Sequence, residues 1–463
     1  MLHFAGTFND ARLDRRATAL FADLRDQRCV SIRRIAATRA DQVAYYRLLG
    51  NDALTDEALA GAMTRHTAEI SAGVDHVLCI QDTSQFNFQS HAGRLGRHHE
   101  GDSGLGVIGN NTSLGFFLHP TLAVDADTGH ALGISHVKLW AREDDRPGKQ
   151  TRKTRRIEDK ESFRWIESIV GSRAALPQTT TLTTVADREG DIYALFYRRP
   201  AGTEALVRSR DDRCTRDGML FATLAARPVC GETVVHLRGD VRRDEKPRAA
   251  RLRYRTCRAD VLRAQACRDP EAPPEVTLWA VEVEEHPETV PEGAEPVHWR
   301  LLTTHPVESF AEAQQIVAWY RQRWHVEQLF RLMKTDGFAL ETSELEQGAS
   351  LFRLTYLVLG AALDVLRLML AGRGDGSQPL GHVFDEAERA CLVSLDGRMT
   401  GRTVKQQNPH AAGTLAWAGW VVARLGGWKG YTSQRRPGPL VYHRGLTRFR
   451  SLFGGWTLAR GDV

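Results

Sequence analysis

The first part of the chain has the apolar spacing of amphipathic helices. Apolar residues recur every three or four positions in RRATALFADLRD, in SIRRIAATRADQVAYYRLLGN and in the segment that begins LTDEALAGAMTRH. This period predicts one helix for each segment. Basic residues Arg33, Arg34, Arg39 and Arg47 lie in the second segment beside two tyrosines. Residues 1–70 are therefore predicted to be helical, with a basic surface that either meets a polyanion or is simply solvated.

Beyond residue 75 the pattern changes to short apolar runs that predict β-strands. HVLCIQDTS is an apolar run that ends at Asp82, and the Thr- and Val-rich TTTLTTVADREGDIY ends at Asp187. Between them, GFFLHPTLAVDADTGHALGISHVKLW predicts two strands joined by a turn at DADTG, and a helix is expected around residues 163–170. Two acidic residues therefore follow directly after two predicted core strands.

A β-rich stretch then extends over about residues 205–305, with GETVVHLRGD, EVTLWAVEVEE and VHWRLLTT as its clearest runs. Their alternation predicts strands, and the stretch is longer than a connection between one strand and one helix requires. We interpret it as an inserted β subdomain. Further on, LTYLVLGAALDVLRLML is interrupted by Asp364 and Arg367, which favours a buried helix over a membrane span.

The helix predicted after Ser309 carries the most informative pattern. Ser309 and Glu312 have the spacing of a capping box. Five polar residues share one face of this helix: Tyr320, Arg323, Glu327, Arg331 and Lys334. On one continuous helix they lie within a band roughly 80° wide. The apolar residues occupy a separate sector: Trp319, Val326, Leu329, Phe330 and Met333. An acid flanked by cations and a phenol suits metal-dependent chemistry on a nucleic-acid backbone.

Composition is that of a soluble globular protein of two to four domains, with 463 residues, 42% hydrophobic and 26% charged. This excludes a fibre or a disordered tail. The net charge is only +5, but residues 397–463 carry eleven Arg or Lys against the single acid Asp462, which is compatible with a polyanionic partner. Seven scattered cysteines without a C-x-x-C pair indicate neither a zinc site nor a disulfide framework, and a reducing cytoplasm fits best.

Asp82, Asp187 and Glu327 offer three carboxylates without any cysteine or histidine. Phosphodiester cleavage is helped by two divalent cations about 3.5–4 Å apart, which activate the nucleophile and stabilise the departing oxygen. Mg²⁺ prefers such hard oxygen ligands, and without cations three clustered carboxylates would repel one another. Taken singly, each acid is more often a turn residue, a helix cap or an ion-pair partner. The metal-site hypothesis therefore depends on the combination.

The sequence resembles the DDE transposases of insertion-sequence type, the group that includes the transposase of bacterial transposon five. The resemblance rests on DTSQFNF from Asp82, on VADREGDIY around Asp187, and on the Y-x2-R-x3-E-x6-K signature from Tyr320 to Lys334. HWRLLTTHPVES and AWAGWVVARLGGWKG extend it. It implies an α/β fold with an RNase H-like mixed sheet as catalytic core, the β insertion, and helical terminal domains. The implied domains are residues 1–70 for DNA-end binding, 71–372 for catalysis and 373–463 for synapsis and dimerisation.

The resemblance also implies roles for single residues. Asp82, Asp187 and Glu327 would be catalytic and would hold two Mg²⁺ ions, for which Mn²⁺ would substitute. Tyr320, Arg323 and Lys334 would bind phosphates, and Trp299 would stack on a flipped base. Further phosphate contacts are expected from a set of arginines, because a guanidinium matches phosphate oxygens: Arg188, Arg208 and Arg331. By themselves, Trp299 is equally well a core residue and the arginines equally well ordinary surface ion pairs.

The implied reaction is cut-and-paste DNA transposition. Water nicks the strand at the element boundary, the freed 3′ hydroxyl forms a hairpin on the opposite strand, a second water opens it, and the same hydroxyl joins target DNA. The implied partners are double-stranded DNA at inverted-repeat ends, target DNA and a second copy of the chain, with no membrane. The protein would be cytoplasmic and nucleoid-associated when bound to DNA. Two alternatives stay open: a non-catalytic protein that binds ends and inhibits transposition, and a nuclease without strand transfer.

Overall fold

The computed structural model describes residues 2–91, 93, 104–109, 113–142, 155–239, 246–265, 267–335, 337–374, 376–431, 434 and 436–461. The chain divides into two compact units. The first unit comprises Met1–Val74, Thr83–Arg146 and Trp324–Val463, and the second comprises Asp75–Asp82 and Pro147–Arg323. Each unit is therefore assembled from segments that are distant in the sequence. The three functional domains expected from the sequence stay a prediction.

The secondary structure alternates between helical and β-rich segments. The α-helices are Ala11–Gln27, Ile32–Ile35, Arg39–Leu49, Asp56–Ile70, Arg164–Ala175, Tyr193–Tyr197, Leu220–Ala225, Phe310–Arg321, Trp324–Met333, Gly348–Ala371, Glu386–Met399, Leu415–Leu425 and Pro439–Arg460. The strands are β1 (His76–Gln81), β2 (Ser84–Asn87), β3 (Gly106–Ile108), β4 (Ser113–Asp125), β5 (Ala131–Trp140), β6 (Thr181–Ala186), β7 (Thr203–Arg208), β8 (Cys214–Thr215), β9 (Gly218–Met219), β10 (Gly231–Leu237), β11 (Arg248–Leu262), β12 (Glu275–Glu285) and β13 (His298–Thr303).

The N-terminal segment is helical as predicted, but the single helix expected over SIRRIAATRADQVAYYRLLGN is wrong. A short helix, Ile32–Ile35, ends at Ala36, and a new helix starts at Arg39. The restart is explained by a capping box, in which Thr38 accepts from the Asp41 amide and Asp41 accepts from the Thr38 amide. Such a box satisfies two backbone donors at a helix start and so favours a new helix at that point.

The helix Gly348–Ala371 forms the core of the first unit. It contacts the N-terminal helices Ala11–Gln27 and Arg39–Leu49 and the C-terminal helices Leu415–Leu425 and Pro439–Arg460. By length and composition it is apolar enough to cross a membrane, yet all of its apolar window is buried inside the protein. The sequence interpretation as a buried helix is therefore confirmed. Strands β2, β3 and β5 of this unit each pair antiparallel with β4, and the turn predicted at DADTG joins β4 to β5.

The second unit is built around one mixed sheet. Its strand order is β1-β6-β7-β13-β12-β11-β8-β9, with β10 also paired to β11. Strands β1, β6 and β7 are parallel neighbours. The strands predicted in the 205–305 stretch continue this same sheet, because β13 pairs antiparallel with β7 and β12 with β13. We did not identify β11 from the sequence. Its alternate positions carry arginines such as Arg253 and Arg255, which pair with Glu284 and Glu282 on β12.

Helices cover both faces of this sheet within the second unit. One face packs against the helices Arg164–Ala175, Tyr193–Tyr197 and Leu220–Ala225 through a core that includes Trp165 and Phe196. The other face meets the helix Phe310–Arg321, whose Phe310 ring lies 5.2 Å from that of Tyr254. The mixed α/β class is thereby confirmed, and the architecture is compatible with the RNase H-like core that the resemblance implies.

Candidate active site

Asp82 and Asp187 lie at the same edge of the second unit's sheet. Asp82 follows β1 and Asp187 follows β6, as predicted. The two strands are parallel and in register from His76 and Thr181 to Ile80 and Val185. Continuing that register by two residues aligns Asp82 with Asp187, and neighbouring strands lie about 4.8 Å apart. The sheet therefore presents two carboxylates side by side at the carboxyl ends of its strands.

A cation is already paired with Asp82. Arg323 Nη1 donates to Asp82 Oδ2 at 2.9 Å, and each of the two side chains is only 18% exposed. Partial burial strengthens such a pair because the effective dielectric constant is lower than in water. The arginine that was predicted to bind phosphate is therefore held beside the first aspartate.

The second aspartate faces a group of cations and a phenol. Asp187 caps a short 3₁₀ turn by accepting from the Glu189 amide at 2.8 Å. Burial, reinforced by the nearby Arg188, lowers the pKa of Arg208, whereas the charge of Asp187 acts in the opposite direction. Burial raises the pKa of Tyr320, and Asp187 adds to this effect. The phenol is therefore protonated at neutral pH.

Tyr320 also connects this group to the predicted stacking residue. The Trp299 ring lies 5.5 Å from the Tyr320 ring at an interplanar angle of 72°, an edge-to-face arrangement that aromatic pairs favour. Trp299 is partly exposed and Tyr320 is buried. Part of the Trp299 side chain is therefore accessible, and its role in base stacking stays a prediction.

The signature segment is two helices rather than one. The helix Phe310–Arg321 begins with the predicted capping box of Ser309 and Glu312, which is confirmed. The chain then turns at Gln322 and Arg323, where the Arg323 amide donates to the Tyr320 carbonyl at 3.0 Å, and Trp324–Met333 forms a second helix. The single continuous helix on which the roughly 80° band was calculated is therefore wrong. Bonds to the third preceding residue tighten the backbone at the turn.

Glu327 lies in the first turn of the second of these helices, within the first unit. The opposite side of the helix is buried as predicted, through residues that include Val326, Leu329, Phe330 and Met333. Glu327 is partly exposed and Arg331, one turn further along the helix, is exposed. Residues four apart share a helix face, so Glu327 and Arg331 keep the predicted relationship.

Lys334 follows this helix and reaches strand β2 of the same unit. Its ammonium donates to the Gln85 carbonyl at 2.5 Å and lies 4.9 Å from the centre of the Phe86 ring. Both residues belong to the DTSQFNF block. Two motifs that are far apart in the sequence therefore meet at Lys334.

The oxygen-only donor set fits a hard divalent cation such as Mg²⁺. Within the described part of the chain, no three His, Cys, Asp or Glu side chains are grouped so that they hold a metal ion. Asp82 and Asp187 belong to the second unit, and Glu327, the third residue predicted to hold a metal ion, belongs to the first unit.

A family model for the transposase DDE domain matches residues 50–363, about two thirds of the chain. The chain belongs to this family. The matched segment contains Asp82, Asp187, Glu327 and the phosphate-binding candidates up to Lys334. DDE transposases bind DNA, cleave nucleic acid and generally use divalent metal ions, so this chain is a transposase by family.

Two residues close in sequence to the candidate site residues were not singled out from the sequence. Asp191, four residues beyond Asp187, is buried and accepts from the Arg210 amide at 2.8 Å while pairing with Arg213. Trp324, directly after Arg323, is 54% exposed. The DREGDIY spacing alone does not distinguish the partly exposed Asp187 from the buried Asp191, and exposure of a tryptophan depends on the fold.

We predict that Asp191→Asn destabilises the protein by roughly 2 kcal/mol, because asparagine keeps an acceptor for the Arg210 amide but removes the charge that Arg213 pairs with. Urea unfolding at pH 7 measures the change. Asp211→Asn is the control, since Asp211 is 61% exposed and exposed pairs contribute little. Equal losses in the two variants would contradict a structural role for Asp191.

A cluster of partly buried rings around the buried Thr183 supports the helix that carries Tyr320. The Thr183 hydroxyl lies 2.7 Å from both His76 Nε2 and His305 Nε2, and the Trp319 ring lies 4.7 Å from the His76 ring and 5.0 Å from the His305 ring. These contacts link strands β1 and β6 to the end of the helix Phe310–Arg321. Burial, opposed by the charge of Glu204, lowers the pKa of His305 to about 4.

This lowered pKa predicts a pH dependence of stability. Between about pH 6.5 and pH 4 the unfolded chain binds a proton at His305 that the folded chain does not, so stability falls as the pH falls. From pH 7 to pH 5 the expected contribution is roughly 2 kcal/mol. Urea unfolding at both values should show a smaller loss for His305→Gln than for the parent protein. An identical loss in the two proteins would refute this assignment.

Proposed function

We propose that this protein catalyses cut-and-paste transposition of DNA, with Asp82, Asp187 and Glu327 as the catalytic, metal-binding residues. One observation carries the proposal: two carboxylates follow neighbouring parallel strands in register, beside Arg323 and Tyr320. This arrangement lies within the segment that matches the transposase DDE domain.

The proposed cofactor is a pair of Mg²⁺ ions, for which Mn²⁺ substitutes. When bound, they would lower the pKa of the attacking water and neutralise charge on the departing oxygen. Asp82, Asp187 and Glu327 would hold them through carboxylate oxygens. Arg323 neutralises Asp82 in the resting protein. The Arg323 guanidinium, whose fork of donors suits a phosphate, would bind a DNA phosphate beside Asp82.

The remaining contacts would position DNA. Arg208 and Arg188 would bind phosphates near Asp187, and Arg331 and Lys334 would do so from the first unit. Tyr320 has a raised pKa, so its hydroxyl stays protonated and donates to a phosphate oxygen.

Aromatic stacking would hold a base that leaves the duplex. Trp299 is partly exposed and fixed edge-to-face by Tyr320, and stacking of a base on an aromatic ring contributes about 1–3 kcal/mol. Trp324 offers a second stacking surface because 54% of it is exposed.

The proposed reaction sequence is nicking, hairpin formation, hairpin opening and joining to target DNA, all at one site. The exposed arginines of the N-terminal helices would bind inverted-repeat ends, as Arg33, Arg34 and Arg47 are exposed. Tyr45 is excluded from this surface because it is buried and its hydroxyl donates to Asp23 at 2.5 Å. The basic helices beyond residue 373 would serve synapsis in a homodimer, and the protein would work in the cytoplasm, on the nucleoid.

The test uses inverted repeats identified in the DNA on either side of the gene. A duplex that carries one repeat and its flanking DNA is labelled at the 5′ end of each strand and incubated with the full chain and Mg²⁺, with a supercoiled plasmid as target. The expected products are a nick at the repeat boundary, a hairpin, and plasmid joined to the repeat. Binding without cleavage would identify an end-binding inhibitor, and cleavage without joined plasmid would identify a nuclease.

A further inference from the structure

Glu341 lies beside Lys334 in the first unit and has no role in the site as described so far. Its Oε1 accepts from the Asn87 amide at 2.8 Å and lies 3.9 Å from the Lys334 ammonium. The same ammonium donates to the Gln85 carbonyl at 2.5 Å. Glu341 therefore contacts both the strand β2 backbone and the lysine that lies on that strand.

The ammonium of Lys334 is mostly enclosed. The side chain is 25% exposed and that of Glu341 is 34% exposed. Strand β2, the helix Trp324–Met333 and the turn Leu340–Thr342 surround the group, with the Phe86 ring on one side. Because Glu341 is too far away for a direct hydrogen bond, the exposed side of the ammonium retains donors for an incoming phosphate.

Enclosure disfavours the charged form of a lysine. Burial lowers the pKa of Lys334, and the charge of Glu341 acts in the opposite direction. Among the described charged groups on the surrounding elements, Glu341 is the one that acts on this ammonium. The carboxylate therefore compensates in part for the cost of enclosing the lysine.

We propose that Glu341 is a positioning residue for Lys334, which it fixes against strand β2 as a cation ready to bind a DNA phosphate. This inference rests on the proposed phosphate-binding function of Lys334. The geometry suits the role, because one carboxylate oxygen is anchored by the Asn87 amide while its charge faces the ammonium.

Glu341→Gln separates the charge of Glu341 from its hydrogen bond. Glutamine keeps a side-chain oxygen that accepts from the Asn87 amide, but it does not support the charge of Lys334. Glu344→Gln is the matched control, because Glu344 is exposed and lies three residues away. Affinity for a fluorescent duplex carrying the flanking repeat is measured from pH 7.0 to 9.5 at constant ionic strength.

The expected result is a shift in the pH at which affinity falls. In Glu341→Gln this fall should begin about one pH unit lower than in the parent protein, since an opposite charge at this range shifts a pKa by one unit or more. Glu344→Gln should follow the parent protein. In a Lys334→Arg background the Glu341→Gln change should cause no shift, because a guanidinium stays charged throughout the range.

Three results would overturn the inference. The first is a pH profile of Glu341→Gln that matches the parent protein, and the second is a shift that persists in the Lys334→Arg background. The third is tighter DNA binding by Glu341→Gln at every pH, which would show that Glu341 competes with the phosphate for Lys334. Lys334→Gln distinguishes this failure from failure of the proposed function. If Lys334→Gln weakens binding and Glu341→Gln does not, only the positioning role is wrong. If Lys334→Gln binds normally, the phosphate-binding function of Lys334 is wrong as well.

Discussion

Asp187→Asn is expected to reduce strand cleavage by a factor on the order of 10³ or more while DNA-end binding is retained. A factor of 10³ corresponds to about 4 kcal/mol of transition-state stabilisation, within the range that metal ions supply to phosphodiester cleavage. Asparagine has nearly the same shape and still accepts from the Glu189 amide, which donates to Asp187 Oδ1 at 2.8 Å. The loss would therefore come from the missing negative charge and not from a disrupted turn.

Single-turnover kinetics with the labelled duplex in Mg²⁺ measure strand cleavage, and a gel-shift titration measures DNA-end binding. Glu189→Gln is the matched control, because Glu189 is two residues away and its side chain is 66% exposed. It removes the same charge from the same turn and should leave cleavage close to that of the parent protein. Undiminished cleavage by Asp187→Asn would rule out Asp187 as a metal ligand.

Asp82→Asn should reduce strand cleavage for the same reason as Asp187→Asn, but its expected effect on DNA binding is different. Asp82→Asn removes the carboxylate that pairs with Arg323 at 2.9 Å. Cleavage should fall as it does for Asp187→Asn, because a proposed metal ligand is lost. Arg323 at the same time loses this ion pair, which otherwise competes with a phosphate, so we expect DNA binding to be equal to or tighter than that of the parent protein.

Asp364→Ala is expected to destabilise the protein by about 3–5 kcal/mol. Asp364 is 3% exposed and lies on the core helix Gly348–Ala371. It accepts from Arg25 Nε at 3.0 Å and lies 3.4 Å from Arg367 Nη1. Removal of one partner from a buried ion pair leaves the other charge buried and uncompensated. The loss in folding free energy is larger than the stability that the intact pair contributes.

The charged residues around Asp364 offer few other acceptors to the arginines that would lose this carboxylate. Arg25 also lies 3.6 Å from Glu388, which is paired in turn with Arg450. Arg28, close to Arg450, is buried as well, and burial followed by repulsion from Arg450 lowers its pKa to about 9. The buried arginines therefore share a few carboxylates, and loss of Asp364 increases the repulsion among the arginines.

Urea unfolding at pH 7 measures this loss of stability. The control is Glu386→Ala, because Glu386 is 85% exposed and pairs with Arg389 at 3.5 Å on the protein surface. An exposed pair contributes between zero and about 1 kcal/mol, so the control should unfold close to the parent protein. A change for Asp364→Ala as small as that of the control would show that the buried arginines find other acceptors.

The local sequence pattern determined much of the secondary structure of this protein. The apolar runs that end at Asp82 and Asp187 are strands, and the capping-box spacing of Ser309 and Glu312 marks a helix start. The apolar run around Asp364 is a buried helix. These features depend on period, on capping and on apolar content, which are all properties of neighbouring residues.

Other features depend on contacts between distant residues and could not be predicted from the sequence. Arg323 pairs with Asp82 across 241 positions of sequence, and the Asn87 amide meets Glu341 across 254. The interruption at Gln322 and Arg323 has no local signal, since neither glycine nor proline lies in that turn. Such contacts form only when the folded chain brings these residues together.

The sequence by itself therefore determined which residues are candidates for the chemistry and at which ends of strands or helices they lie. Only the tertiary structure decided their partners: Arg323 for Asp82, Glu341 for Lys334, and the interior of the second unit for Asp191. The physical reason is that hydrophobic period and capping act over a few residues, whereas burial and ion pairing depend on the whole packed core.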